Sequence, residues 1–466
     1  MKHTYKDVLV ALSPLIFLLI LLGTNVYIMG DASQDGGNQI ILILSGLLAA
    51  GLGIKRGVHW QSMMESVEKN VASTSQALII LLLIGALSGT WMAGGIVPTM
   101  MFYGVQWMHP VYYLPLTAII TAIIAIVIGS SWSTTATIGI ALIAISEPLG
   151  IPTHIAAGAI ISGAYFGDKI SPLSDTTNLA AAMAGTDVVS HIKYLMITTV
   201  PSFLITLILF AGIGYYFLDS SVAFTPDLSM QIVLEEHFHI SAWYFIVPLL
   251  VVILIAKKVP AIPALSFGVL GGVICMLAFQ DLPISTVGKY QFIHDAILQT
   301  YGPAETLSGL LQTSGMAGML STIWLILAAM FFGGIMEACG FLKILTMAML
   351  SKAKSETALV GATAASAILV NVSASDQYLS IVIPGRMFAG NYPEYNLAPE
   401  NLSRTLEDAG TVTSVLVPWN TCGAYQSAVL GIPTLAFLPF AFFNILSPLM
   451  TLIVSWKKVK IKRIRC

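Results

Sequence analysis

Long apolar stretches recur along almost the whole of this 466-residue chain, and they constrain its fold more than any other feature. A helix needs about 20 mostly apolar residues to cross the hydrocarbon core of a bilayer. Only 9% of the residues are charged, whereas a soluble protein carries about 25%. This composition excludes a soluble enzyme, a disordered chain and a nucleic-acid-binding protein. It predicts an all-α polytopic membrane protein embedded in a lipid bilayer.

Eight stretches are apolar enough to be simple spans: 8–30, 39–55, 75–95, 194–218, 241–256, 261–280, 321–342 and 433–456. Two more, 152–186 and 397–431, carry charges and prolines in the middle, and each is predicted to be a broken helix. The stretches 111–149 and 356–390 are apolar with a polar centre, which predicts helical hairpins. The total is about ten transmembrane helices plus two hairpins.

The positions of the basic residues predict the orientation, because cytoplasmic loops carry an excess of Lys and Arg. With the N-terminus inside, 18 of the 21 Lys and Arg residues are cytoplasmic, and Lys289 lies outside. Lys169 and Arg404 remain at membrane depth. Both termini are therefore predicted to be cytoplasmic, with an extracytoplasmic linker at 219–240 and a basic tail at 457–466.

The order of these elements is the same in two halves of the chain, 1–218 and 241–456. Five crossings are an odd number, so the second half is predicted to be an inverted repeat of the first. Gly89–Gly95 aligns with Gly334–Gly340, which supports the repeat. Inverted repeats whose broken helices meet at the bilayer midplane are typical of secondary transporters. A channel would instead need a continuous polar stripe along several helices.

Ionisable side chains at membrane depth mark an ion or substrate path. Pro172 frees backbone carbonyls in the first broken helix, and the oxygen donors around it suit a small hard cation such as Na⁺. A carboxylate there can bind Na⁺ when ionised and release it when protonated. The ion- or proton-binding candidates in the broken helices and the second hairpin tip are Asp168, Asp175, Thr176, Asn178, Asp376, Glu407, Asp408, Thr411, Thr413, Asn420 and Thr421.

Each of these candidates also has a structural interpretation. Arg404 can pair with the carboxylates three and four residues after it, and Lys169 can neutralise its neighbour Asp168. Asp175 and Asp376 can be helix N-caps. The Ser and Thr hydroxyls can bond back to carbonyls of their own helix.

Three segments, 129–137, 163–180 and 406–425, resemble the NhaC family of bacterial Na⁺/H⁺ antiporters. The resemblance implies a multi-pass protein of the bacterial inner membrane that exchanges Na⁺ for H⁺ by alternating access, without a cofactor. It also implies a homodimer in which a transport domain slides against a scaffold. Hairpin-tip serines would help to hold the ion, here Ser131, Ser133 and Ser375, and the Na⁺ ligands would include Asp175, Asn178 and Ser131.

The same family includes malate/Na⁺-lactate antiporters, so exchange of a small carboxylate is the alternative function. An organic anion needs a cation or a helix N-terminus to bind its carboxylate. Lys169, Arg404 and the two hairpin tips are the candidates for that role.

Overall fold

The computed structural model describes residues 5–29, 36–219, 228–280, 282 and 315–464. Lys289, residues 220–227 of the predicted linker and the last two residues of the predicted tail lie outside the described residues. Within the described ranges the chain is helical and contains no strand, one isolated bridge between Leu397 and Arg463 apart.

The first half contains nine helices within the described residues. They are α1 (Tyr5–Met29), α2 (Gly37–Lys55), α3 (Trp60–Ala93), α4 (Ile96–Trp107), α5 (Pro110–Ile128), α6 (Ser131–Ser146), α7 (Thr153–Ile170), α8 (Asp175–Ala184) and α9 (Val188–Asp219). A π-helical turn over Thr135–Gly139 interrupts α6.

The described part of the second half follows a similar order. A short helix, α10 (Leu228–His237), lies in the predicted linker before it. The helices of the second half are α11 (Ala242–Ala256), α12 (Ala261–Phe279), α13 (Gly315–Ala338), α14 (Phe341–Leu350), α15 (Glu356–Ser373), α16 (Gln377–Phe388), α17 (Pro399–Leu406), α18 (Thr421–Leu430), α19 (Thr434–Phe440) and α20 (Phe442–Trp456). A π-helical turn over Glu407–Thr411 continues α17.

Eight described helices are long and apolar enough to cross a membrane, and the bent pair α19–α20 raises the total to nine. The prediction of an all-α polytopic membrane protein is therefore confirmed. Helix α3 begins at Trp60, well before the predicted span 75–95. Its first turns carry charged residues such as Glu65 and Lys69, so hydropathy alone could not detect this extension. Helices α4 and α14 are too short to be recognised as spans.

The two segments aligned as a repeat fold in the same way. Helix α3 ends before Gly95, which has a left-handed backbone with φ 75°, and α13 ends before Gly340, with φ 69°. Glycine suits both positions because it has no Cβ to oppose a positive φ. A short apolar helix follows each glycine, α4 in the first half and α14 in the second. The repeat itself stays a prediction.

Each predicted hairpin consists of two helices joined by a short tip. In the first, Gly129 has φ 75°, and a Cβ there would lie 2.7 Å from the Cβ of Leu173. In the second, the tip residue Ser375 has φ 60°. Both tips therefore contain a residue with a left-handed backbone, and the first broken helix packs tightly against the first tip.

Small residues allow α7 to pack closely against α5. A Cβ at Gly163 would lie 2.1 Å from the carbonyl oxygen of Ala118, and one at Gly167 would lie 2.2 Å from that of Ala122. Close backbone approach at small residues is how helices associate in a membrane, where burial of apolar surface gives little driving force. This packing fixes the first broken helix against the first hairpin.

Candidate functional site

A cavity of about 200 Å³ lies where the two hairpin tips meet the first broken helix and α3. Three carboxylates line it, those of Asp168, Asp175 and Asp376. Hydroxyl and aromatic side chains complete most of the remaining polar lining: Ser73, Thr74, Ser130, Ser133, Thr421, Trp132, Tyr378 and Tyr425. Both halves of the chain therefore contribute carboxylates to the cavity lining.

Asp168 anchors the second helix of the first hairpin. Its Oδ2 accepts hydrogen bonds from the backbone N–H (2.9 Å) and the hydroxyl (2.7 Å) of Ser131, at the start of α6. Charge-assisted bonds of this kind are stronger than neutral ones. Asp168 Oδ1 is buried and has no hydrogen-bond partner among the described residues. One oxygen of this carboxylate thus holds the hairpin, and the other is available to a ligand.

Asp175 is exposed and joins the first broken helix to the second hairpin. Its Oδ2 accepts a 2.5 Å hydrogen bond from the hydroxyl of Tyr378. The N-cap of α8 is Ser174, so the interpretation of Asp175 as that cap was wrong. Asn178 donates to the carbonyls of Pro172 (3.0 Å) and Ser174 (2.6 Å). Its amide NH₂ therefore bonds to backbone freed at the helix break.

Asp376 caps a helix, which is one of the two roles that the sequence allowed. It is the N-cap of α16, accepting a 2.9 Å bond from the N–H of Leu379, and it also lines the cavity. The carbonyl of Ser375 accepts a 2.9 Å bond from the N–H of Thr421, which ties this tip to the start of α18. The hydroxyl of Ser375 is buried and unpaired within the described ranges.

Glu407, in the second broken helix, contacts the first broken helix. Its Oε1 accepts a 3.2 Å bond from the hydroxyl of Thr176, the residue after Asp175. Both side chains are buried, and neither belongs to the cavity lining. Glu407 therefore contacts the residue that follows the cavity residue Asp175, outside the lining itself.

The other polar groups of the second broken helix support its unwound backbone. Asn371 donates to the hydroxyl of Thr413 (3.1 Å), which bonds back to the carbonyl of Ala409 (2.6 Å). Asn420 donates to the carbonyl of Asn371 (3.1 Å) and caps α18. The buried hydroxyl of Thr411 has no partner in the part of the chain that is described.

Lys169 forms a buried ion pair with Asp408. The predicted pairing of Lys169 with Asp168 was wrong, because adjacent helical residues point about 100° apart. Arg404 does not pair with Asp408 or Glu407 as expected: its guanidinium lies 4.8 Å from the centre of the Tyr194 ring, and its nitrogens have no hydrogen-bond partner among the described residues. Neither cation lines the cavity.

Several cavity residues were not among the predicted site residues. Tyr378 lies just after the predicted hairpin tip, and a hydroxyl there could have been suspected. Ser73 and Gln76 belong to a polar run near the predicted start of a span, which was the available signal on α3. Tyr425 stacks on Trp132 with ring centres 4.1 Å apart, a pairing between the two halves that spacing along the chain cannot predict.

A bundle of membrane-crossing helices with carboxylates and hydroxyls gathered at helix breaks defines a polytopic membrane transporter. The model of the Na⁺/H⁺ antiporter family matches residues 163–457. The chain belongs to this family, and the resemblance to its NhaC members is confirmed.

Two curated antiporters are similar to this chain along most of its length. It is 39% identical to a Na⁺/H⁺ antiporter NhaC of Alkalihalophilus pseudofirmus, over 90% of each chain. It is 35% identical to a malate-2H⁺/Na⁺-lactate antiporter of Bacillus subtilis, over 92% of this chain and 90% of the relative. Relatives of both predicted kinds therefore align along almost the whole length.

Proposed function

We propose that this protein exchanges Na⁺ for H⁺ across the plasma membrane of a bacterium. The observation that carries this proposal is the cavity into which both halves of the chain contribute carboxylates. The antiporter family and the NhaC relative support the same pair of ions. The cytoplasmic termini predicted from the basic residues and the homodimer implied by the family resemblance complete the proposal.

The chemistry of exchange follows from the crowding of like charges. Asp168, Asp175 and Asp376 repel one another when all three are ionised around about 200 Å³ of space. A bound Na⁺ relieves this repulsion, and so does protonation. Since either ion satisfies the same carboxylates, entry of one favours release of the other, and the two fluxes are coupled.

Alternating access requires that the carboxylates be exposed to each side in turn. The cavity is also lined by residues around the turn between α11 and α12: Ile255, Ala261 and Leu265. We propose that the hairpins and broken helices move as a unit against a scaffold that includes α1, α2, α11 and α12. A cavity at the boundary between the two is where such a movement would open and close the site.

Organic-acid exchange is the second candidate, supported by the malate-2H⁺/Na⁺-lactate relative. The geometry favours it less, because an organic anion would need a cation in the cavity. Lys169 is paired with Asp408, and neither Lys169 nor Arg404 belongs to the cavity lining. Na⁺/H⁺ exchange needs no such cation.

The test is reconstitution of the purified protein in liposomes that contain a pH-sensitive dye. Addition of Na⁺ outside should change the internal pH without any organic acid. Asp175→Asn should abolish the response, whereas Glu394→Gln, at an exposed turn, should leave it unchanged. A response that requires malate or lactate would replace this proposal by the carboxylate exchanger. A full response in Asp175→Asn would remove that residue from the mechanism.

A further inference from the structure

Helix α17 carries a polar stripe that the Na⁺ cavity does not use. The stripe begins at Glu400 and continues with the residues three, four and seven positions after it, Ser403, Arg404 and Glu407. Glu407 is the first residue of the π-turn that continues α17. At this spacing the four residues lie on one face. All four side chains are buried. The stripe extends for about 10 Å, at 1.5 Å of rise per residue.

Helix α9 presents a matching polar stripe to this face. The Nδ1 atom of His191 lies 2.7 Å from the hydroxyl of Ser403, and the ring of Tyr194 lies under the guanidinium of Arg404. The hydroxyl of Thr198 donates a 2.9 Å hydrogen bond to Asp408. We call these two facing stripes the polar seam; it consists of Glu400, Ser403, Arg404, Glu407, His191, Tyr194 and Thr198.

Several atoms in the polar seam have no hydrogen-bond partner among the described side chains and backbone. They are Oε2 of Glu400, Nε2 of His191, the three guanidinium nitrogens of Arg404 and Oε2 of Glu407. A buried charge is costly unless it is hydrogen-bonded, and ordered water satisfies such groups in protein interiors. Water molecules held between the two stripes would satisfy these atoms.

One end of the polar seam lies at the tail-side surface, and the other end contacts the residue after the cavity residue Asp175. At one end, Oε1 of Glu400 accepts a 2.7 Å bond from Lys462, whose side chain is 45% exposed. At the other end, Glu407 accepts a hydrogen bond from the hydroxyl of Thr176, which follows the cavity residue Asp175 in the sequence. The seam thus connects the surface of the predicted cytoplasmic tail with the carboxylates behind the site.

We propose that the polar seam is a proton route, separate from the path of Na⁺. A proton leaves the buried carboxylates, passes along water to Nε2 of His191 and to Glu400, and is released at the surface. Each hop breaks one O–H or N–H bond and forms the next. The charged groups around His191 are Glu400 of α17, Lys169 of α7 and Asp408 of the π-turn. His191 and the carboxylates of Glu400 and Glu407 carry the proton.

The test compares two fluxes in liposomes and rests on the proposed function. Glu400→Gln and His191→Asn should slow Na⁺-driven H⁺ movement at least about tenfold, or about 1.4 kcal/mol of barrier. Exchange of radioactive Na⁺ for unlabelled Na⁺ at equal pH needs no net proton movement and should persist at the unaltered rate. That exchange also shows that the variants are folded. Glu394→Gln and His154→Asn are the controls outside the polar seam and should leave both fluxes unchanged.

Unaltered H⁺ movement in both seam variants would overturn the proton route. So would a parallel loss of both fluxes, which would make the polar seam a structural element. Failure of the proposed function has a different signature, since the unaltered protein would then show no Na⁺-driven H⁺ movement.

Discussion

The buried ion pair between Lys169 and Asp408 should respond differently to single and double substitution. Both side chains are fully buried. Removal of one partner leaves an uncompensated buried charge, which costs about 3–5 kcal/mol of unfolding free energy. Replacement of both by apolar residues of similar volume is often neutral or stabilising. The double variant Lys169→Met/Asp408→Leu should therefore be more stable than either single variant.

The contacts around the pair predict which single variant is worse. Asp408 also receives hydrogen bonds from the hydroxyls of Ser447 (2.7 Å), Thr198 (2.9 Å) and Thr451. These three donors remain in Lys169→Met, so its cost should lie near about 3 kcal/mol. Asp408→Leu leaves the ammonium of Lys169 with the hydroxyl of Ser447 as its acceptor, and its cost should lie near about 5 kcal/mol.

The assay is the unfolding free energy of the purified protein in detergent micelles, measured for both single variants and the double variant. Arg56→Met is the matched control, because Arg56 pairs with Asp7 at a site where both side chains are about a third exposed. An exposed pair contributes at most about 1 kcal/mol. A cost for Lys169→Met no larger than for the control would refute the reasoning. So would a double variant less stable than Asp408→Leu.

Two further predictions concern packing and the cavity. Gly163→Ala should lower stability and the yield of folded protein, because its Cβ would lie 2.1 Å from the carbonyl oxygen of Ala118. Gly51→Ala, at a helical position with open space around it, should instead raise the free energy of unfolding by up to about 1 kcal/mol. If Gly51→Ala were less stable than Gly163→Ala, the close packing of α7 on α5 would be contradicted. Tyr378→Phe removes the hydrogen bond to Asp175 and should raise the Na⁺ concentration for half-maximal exchange by up to about tenfold. An unchanged Na⁺ titration in liposomes would contradict a role for that bond.

The sequence predicted the spans well because a bilayer imposes one simple requirement, a run of apolar residues long enough to cross it. It also located the polar chemistry, since ionisable groups are rare at that depth. The sequence did not predict which of these polar side chains pair with each other. Lys169 and Asp408 are 239 residues apart, and their pairing depends on how α7 and the π-turn are rotated toward each other. The pattern of residues along one helix does not contain that information.

Asp376 and Asp168, two carboxylates that bind the starts of hairpin helices, illustrate the same limit and its consequence for function. Asp376 caps its own helix, an arrangement that a short sequence motif can predict. Asp168 does the equivalent for α6 from a different helix, which only the folded chain reveals. Ser131 occupies Oδ2, and the buried Oδ1 of Asp168 has no partner among the described residues, so under the proposed function Oδ1 is the oxygen that would bind an ion. An ion bound there contacts the broken helix and, through the same carboxylate, the hairpin. Binding or release of the ion would therefore act directly on the first broken helix and the first hairpin, the two elements whose movement alternating access requires.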